Sequence, residues 1–327
     1  MTRRFEVVGA GGVRLSAWSF DAEGDGPREP VRRADGGPTA DAPPADTDRV
    51  VPRPRRAAPA HGPGPDHRAP DPRPGLLFLH GLMGRAAHWA PAARLLAPTH
   101  RAVALDQRGH GPSGTPHDGP WTRDAFVADA EAAVEQLDLG PVTVVGHGMG
   151  ALVGWNLAAR RPDLVGALVI CDMRAAALGA RSQEEWAEWL GRWPLPFSGP
   201  EAARRWFAIE DPRLERPDPA RGAFFTEVVR PARDGWRPTF SRRRMLAIRE
   251  AWVHDAHWED LARVTCPTLV LRGIDGELGR AEAQEMVRVL PRGRYAEVSD
   301  AGHWFHVDRP DRWLAAVEPF LRGVRTP

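Results

Sequence analysis

The sequence contains no lysine, only one tyrosine and only two cysteines. Because all 44 basic residues are arginine, the chain cannot form a Schiff base or use a lysine as a general base. Cys171 and Cys266 are too few for a disulfide framework and lie beside apolar runs, so we interpret them as small core residues. No apolar run approaches the roughly 20 residues that a membrane-spanning helix needs.

The charge of the chain is nearly balanced. Its formal net charge is +1 at pH 7, which gives no electrostatic argument for binding nucleic acid or an anionic membrane. The N-terminal residues include arginines but no apolar segment of the kind found in a secretory signal. We therefore expect a cytoplasmic protein that acts on a small molecule, without a metal or another cofactor. Its oligomeric state is not indicated by the sequence.

A segment of unusual composition follows the N-terminus. Residues 21–74 hold 13 of the 33 prolines and no aromatic residue. Such a segment cannot bury enough apolar surface to offset the entropy lost on folding, so we predict a disordered Pro- and Arg-rich insertion. Before it, residues 1–20 alternate apolar and polar positions around a glycine-rich turn, which predicts a β-hairpin at the edge of a sheet.

From residue 75 onward, short apolar runs alternate with segments of helical periodicity. The runs end at Leu79, Leu105, Val145, Cys171 and Leu271. This alternation predicts an α/β fold with a mostly parallel central sheet and helices on both faces. We assign residues 75–173 and 264–327 to this core.

Residues 174–263 interrupt the alternation, and we predict that they form an inserted helical cap without a clear strand. The segment carries seven of the 13 tryptophans. Trp186, Trp189 and Trp193 are spaced to share one face of a helix. These rings either form the core of the cap or line an apolar ligand pocket. Our candidate substrate contacts are Trp186, Trp189 and Trp304.

The stretch from Val142 to Gly150 organises the core. Four β-favouring residues are followed by three alternating glycines and then by an Ala-rich helical segment. A strand that turns sharply into a helix through Gly-x-x-x-Gly is the layout of a nucleophile elbow. The central residue of that layout is a nucleophile. Here it is Gly148, which has no side chain.

Three further motifs occur in order along the core. His80-Gly81 follows the first core strand, residues 106–113 (DQRGHGPS) follow the second, and residues 300–304 (DAGHW) lie near the end. Together with the elbow, they resemble the α/β-hydrolase superfamily in its esterase, epoxide hydrolase and C–C hydrolase branch. The resemblance covers about residues 76–172 and 264–321 and the N-terminal hairpin, and it implies the α/β-hydrolase fold.

The resemblance implies a role for each matching residue. His303 matches the catalytic histidine, and an imidazole can act as general base and then as general acid. The oxyanion donors would be the backbone N–H groups of Leu82 and Met149, which do not depend on a side chain. The acid that pairs with His303 is either Asp172, at the end of one core strand, or Asp275, in the loop after the next.

Gly148 leaves more than one function open. An enzyme could use His303 and its carboxylate to activate water, or to abstract a substrate proton, without a covalent intermediate. A pseudoenzyme would bind a small ligand under the cap without turnover. The pattern Gly146-x-Gly148-x-x-Ala151 also matches a dinucleotide fingerprint, although two core strands precede it. We expect hydrolase- or lyase-like chemistry on a small apolar or aromatic molecule, with the pseudoenzyme as the alternative.

Overall fold

The computed structural model describes residues 3–20, 71–117 and 119–324. Most of the predicted disordered insertion, residues 21–70, lies outside these ranges, and its disorder stays a prediction. Over the described ranges, no helix combines the length and the apolar character needed to cross a membrane.

Two sheets are present in the described part of the chain. Their strands are β1 (Arg3–Val8), β2 (Arg14–Phe20), β3 (Gly75–Leu79), β4 (Arg101–Asp106), β5 (Val142–His147), β6 (Val165–Cys171), β7 (Val229–Ala232), β8 (Gly235–Pro238), β9 (Thr268–Asp275) and β10 (Gly293–Gly302). The central sheet has the order β1-β2-β4-β3-β5-β6-β9-β10. Its β1–β2 and β2–β4 pairs are antiparallel, and the other pairs are parallel. The predicted N-terminal hairpin therefore forms the antiparallel edge of a mostly parallel sheet.

The described part of the chain contains α-helices on both faces of this sheet and in the segment between β6 and β9. They are α1 (Ala90–Leu96), α2 (Arg123–Gln136), α3 (Met149–Arg160), α4 (Gly179–Gly191), α5 (Pro200–Arg205), α6 (Pro219–Thr226), α7 (Arg242–Glu250), α8 (Trp258–Ala262), α9 (Arg280–Val289), α10 (Phe305–Asp308) and α11 (Pro310–Gly323). All five residues of β3 are buried. Leu77 and Leu79 pack on the face that carries α2 and α3, whereas Leu76 and Phe78 pack on the face that carries α1 and α11. A strand covered on both faces has to be apolar throughout, which explains the continuous runs in the sequence.

The segment between β6 and β9 contains helices α4 to α8, together with a feature that the sequence did not indicate. Strands β7 and β8 pair antiparallel as a separate two-stranded sheet. The prediction that this segment has no strand is wrong at these positions. Each strand is only four residues long and includes a proline, so neither shows the alternation that marks a strand. Proline is tolerated there because both strands of a two-stranded sheet are edges.

Several tryptophans of this segment pack against one another. Trp189, Trp193 and Trp206 are buried. The ring centroids of Trp189 and Trp193 are 5.1 Å apart, and Trp193 meets Phe207 edge to face at 4.7 Å. Edge-to-face contacts of this kind are favourable beyond the area that they bury. These rings form the core of the inserted segment.

Candidate active site

Strand β5 turns into α3 at Gly148, which has a φ of 51° and a ψ of −124°. A residue with a side chain is strained in this region, whereas glycine is not. The flanking glycines have a packing role. A Cβ on Gly146 would lie 2.4 Å from the Cα of Ala151, and one on Gly150 would lie 2.3 Å from the carbonyl oxygen of Leu79. Close contact between α3 and the sheet therefore accounts for Gly146 without a bound nucleotide.

Space is left beside Gly148 itself. A Cβ built there would have as its nearest neighbours the Cα of Gly81 at 3.7 Å and the Cε1 and Nε2 atoms of the His303 ring at 4.0 Å. These are ordinary van der Waals distances, so a small side chain would fit, and only the positive φ opposes one. An atom placed at this point lies between the turn and the imidazole.

His303 is held by Asp172. The Nδ1 atom of His303 lies 2.7 Å from Oδ2 of Asp172, whose side chain is fully buried. The carboxylate also accepts hydrogen bonds from the backbone N–H groups of Glu277 at 2.8 Å and Leu278 at 3.2 Å. Nδ1 therefore carries the proton that faces Asp172. Within the described residues, Nε2 of His303 has no hydrogen-bond partner, and His303 borders the open space.

The other predicted acid, Asp275, does not contact His303. Its carboxylate forms an ion pair with Arg216 at 2.8 Å, and its side chain is 49% exposed. Asp172 follows β6 and Asp275 is the last residue of the neighbouring strand β9, which is why the sequence left the choice open. The backbone amides after β9 turn towards Asp172, so this carboxylate is the one that the fold fixes against the ring.

The two predicted oxyanion donors border the same space. Leu82 and Met149 both line the cavity in which His303 lies. Met149 is the first residue of α3, where an N–H group has no acceptor within the helix. In the loop after β3, the N–H of Met83 donates to Nε2 of His110 at 3.2 Å. No acceptor is found for the N–H of Leu82 or Met149 among the residues that the structure covers.

The cavity lies over the carboxyl ends of the parallel strands and has a volume of about 980 Å³. The inserted segment supplies part of its wall. Trp186, Trp189 and Trp304 all line the cavity, and the ring of Trp304 lies 4.6 Å from that of His303. Trp189 therefore belongs both to the aromatic core and to the cavity wall.

The family of the chain follows from a comparison with known proteins. A model described as the alpha/beta hydrolase family matches residues 76–317. The chain belongs to the alpha/beta hydrolase family. The mostly parallel sheet with helices on both faces is accordingly the α/β-hydrolase fold, as the sequence motifs implied.

Individual relatives of this α/β hydrolase are distant. A putative esterase/lipase of Haemophilus influenzae is 24% identical over 260 residues, which cover 76% of this chain and 83% of the relative. The (E)-2-((N-methylformamido)methylene)succinate hydrolase of Acinetobacter baylyi is 26% identical over 75% of this chain and 89% of its own length. The crystal structure of an E-2-(acetamidomethylene)succinate hydrolase matches with a TM-score of 0.72, at 20% identity, over 98% of this chain and 99% of the other. At that identity, the structure shows the shared fold alone.

Charged residues that sequence reasoning missed also line the cavity of this α/β hydrolase. Glu277 and Asp218 lie in its wall, and neither carboxylate has an ion-pair partner in the part of the chain that the structure describes. Glu277 lies two residues beyond Asp275, the loop acid that the sequence predicted, which is a weak signal. Asp218 caps the N-terminus of α6, and no motif marks it. The wall is therefore less apolar than its tryptophans suggested.

These carboxylates set the charge of His303. Burial lowers the pKa of His303, but the negative charge of Glu277, the hydrogen bond and charge of Asp172 and the charge of Asp218 outweigh burial and raise the pKa to about 9. The ring is therefore mostly protonated at neutral pH, and its Nε2–H is then a charged donor.

The imidazoles behind His303 behave in the opposite way. The ring centroid of His147 lies 4.3 Å from that of His303 and 4.2 Å from that of His306, and the rings are tilted to one another. Both rings are fully buried, and burial lowers the pKa of His147 and of His306 well below the ordinary value. The Nε2–H of His147 donates to the carbonyl oxygen of His303 at 2.9 Å. Of these three imidazoles, only that of His303 is therefore positively charged at neutral pH.

Proposed function

We propose that this protein is a hydrolase or lyase of small molecules that works through Asp172 and His303 without a covalent intermediate. The observation that supports this is the free Nε2 of His303, held by Asp172 and directed towards the space beside Gly148. Gly148 stands where the family has its nucleophile. Because it has no side chain, no acyl- or alkyl-enzyme can form at that position.

The mechanism then starts with a water molecule in the space between Gly148 and His303. Neutral His303 takes a proton from the water at Nε2 while the water oxygen attacks the substrate carbonyl. The N–H groups of Leu82 and Met149 donate to the oxygen that becomes negative, and one such donor is typically worth about 10²–10³ in rate. Asp172 stabilises the imidazolium, which returns its proton to the leaving group.

The substrate we propose is a small acyl compound, such as an ester, thioester or amide. A cavity of about 980 Å³ is of the size that holds a ligand of a few hundred daltons. The named relatives include an esterase/lipase and hydrolases of substituted succinates. We assign the inserted segment, residues 174–263, the role of a cap that places Trp186 and Trp189 against the apolar part of the substrate.

A binding function without turnover is the second candidate. It is favoured by the raised pKa of His303, because a protonated imidazole cannot accept a proton from water. Such a protein would hold a small ligand in the same cavity.

Turnover by matched variants tests this proposal. A panel of activated esters and thioesters is offered to the wild type, to His303→Gln and to His254→Gln, whose ring is a partly exposed surface group paired with Glu250. We expect turnover in the wild type and in His254→Gln, and only the buffer rate in His303→Gln. Buffer rates for all three proteins would favour the binding function, and wild-type rates in His303→Gln would exclude a role for the pair.

A further inference from the structure

Hydrogen-bond donors surround the space between Gly148, Gly81 and His303, which we call the Gly148 space. Its donors are Nε2–H of protonated His303 and the two backbone N–H groups of Leu82 and Met149. The carbonyl oxygens of the two glycines are already engaged. That of Gly81 accepts from the N–H of Gly84 at 2.9 Å and lies 2.8 Å from Nδ1 of His80, and that of Gly148 accepts from the N–H of Ala151 at 2.9 Å. The space is therefore bordered by three donors, and neither glycine carbonyl is left without a donor.

The electrostatics at this point favour a negative group. The charge on His303 is maintained by three carboxylates, Asp172 after β6, Glu277 after β9 and Asp218 at the start of α6. The ring packed against it from β5, that of His147, is neutral. The Gly148 space also lies at the N-terminus of the 12-residue helix α3, which carries a partial positive charge.

We propose that the Gly148 space binds the carboxylate group of a small organic acid. One carboxylate oxygen accepts from the N–H groups of Leu82 and Met149, and the other accepts from Nε2–H of His303. The location of this site rests on the proposed function, since the same groups act there in catalysis. The missing side chain at Gly148 is what admits the second oxygen, because a hydroxyl group would fill that volume and bond to His303 itself.

The walls of the cavity indicate what the rest of the acid is. Next to His303 lies Trp304, which in turn contacts Phe224 at 4.0 Å and Phe225 at 5.8 Å between ring centroids. An aromatic or aliphatic body would pack against the rings of Trp304 and Phe225, which line the cavity. Glu277 and Asp218 line the same cavity, and so do Arg213, Arg216 and Arg221, so carboxylates and guanidinium groups both face the ligand. The ligand is therefore a carboxylic acid whose apolar body lies next to its carboxylate group.

Calorimetric titration with phenylacetate and with the neutral, nearly isosteric phenylacetamide tests this assignment. We expect phenylacetate to bind the wild type at pH 7 at least tenfold more tightly than the amide. His303→Gln and Gly148→Ala should each remove this preference, the first by neutralising the donor and the second by filling the space. Glu188→Gln, at an exposed position of α4, serves as the control and should keep it.

Several results would overturn the assignment. Equal affinity for the acid and the amide, no measurable binding of either at millimolar concentration, or an unchanged preference in His303→Gln would each do so. If Gly148→Ala does not fold, His303→Gln decides alone. Ester turnover measured on the same samples separates the two proposals. A carboxylate preference without turnover would support the binding site and contradict catalysis, whereas turnover without the preference would do the reverse.

Discussion

Two buried acid–base pairs lie in different regions of this molecule, and they differ in what surrounds them. Arg108, in the loop after β4, donates two hydrogen bonds of 2.6 Å each to the carboxylate of Asp129 in α2. The two side chains are at most 1% exposed. The remaining guanidinium N–H groups donate to the carbonyl oxygens of Pro120 and Ala10, both at 3.1 Å. This pair is closed, because its hydrogen-bonding groups are used within the protein.

The pair of Asp172 and His303 is equally well held on one side but open on the other. The carboxylate has three donors, whereas the imidazole keeps one nitrogen free beside the cavity. Burial and charge are therefore similar in the two pairs, and neither property separates structure from function. The difference is one unsatisfied ring nitrogen next to a space that a ligand can enter. Four predictions test whether this distinction is real.

The largest expected effect is on stability, at the closed pair. Asp129→Ala leaves Arg108 as a buried charge without a partner, so we expect the free energy of unfolding to fall by about 3–5 kcal/mol. Chemical denaturation measures this. The matched control is Asp124→Ala on the same helix, because the exposed pair of Asp124 with Arg160 should contribute about 1 kcal/mol or less. Similar losses in the two variants would contradict the assignment of the closed pair.

The second effect is a pH dependence, at the open pair. Because general-base catalysis needs neutral His303 and its pKa is about 9, we expect the hydrolysis rate to rise roughly tenfold per pH unit from pH 6 to 8 and to level off above pH 9. The raised pKa also stabilises the fold fully below the unfolded pKa of about 6.5, and this stabilisation is lost as pH rises through about 9. A pH–rate profile that is flat between pH 6 and 8 would exclude the neutral ring as the base.

The third effect comes from adding a side chain at the open pair. Gly148→Ser places a hydroxyl near Nε2 of His303, and we expect a burst of product from an activated ester that the wild type does not show. The positive φ should cost about 1–3 kcal/mol of stability. Gly148→Ala is the matched control, since it carries the same backbone strain without the hydroxyl. A burst in both variants, or in neither, would show that the serine does not reach the imidazole.

The smallest effect is expected at Glu277. Replacing its carboxylate in Glu277→Gln removes a charge that raises the pKa of His303, so the pH–rate profile should move to lower pH. Because Glu277 is exposed, solvent screens the interaction, and we expect a gain of less than about tenfold in rate at pH 7 that shrinks with added salt. Glu250→Gln on the surface end of α7 provides the control. An unchanged profile would show that Asp172 and Asp218 set the pKa of His303 without Glu277.

The sheet and its covering helices could be predicted because the inner strands β3, β4, β5 and β6 are buried on both faces. Runs such as that ending at Leu79 had to be apolar throughout, and they alternate with helical segments along the chain. The β7–β8 hairpin could not be predicted. This hairpin buries few of its side chains, so apolar and polar residues do not alternate along its strands. The two strands include two prolines and two arginines.

Only the residues that belong to a sequence motif could be predicted with certainty as part of the site. The glycine motif located the turn at Gly148, and the motif near the end of the chain located His303. The choice between Asp172 and Asp275 depends on which carboxylate turns towards the amides after β9, and that is a property of the folded loop. The carboxylates of Asp218 and Glu277 join the site through the inserted segment and a loop, with no motif to mark them.

The glycine at the turn also decides how this protein can be observed. Reagents that profile serine hydrolases in whole proteomes, such as fluorophosphonates, react by bonding to an activated hydroxyl oxygen. Gly148 presents no such oxygen beside His303, so these reagents have nothing to modify there. A survey based on covalent labelling would pass over this protein even where it is abundant and turning over substrate. Detecting its activity requires assays that follow product or bound ligand.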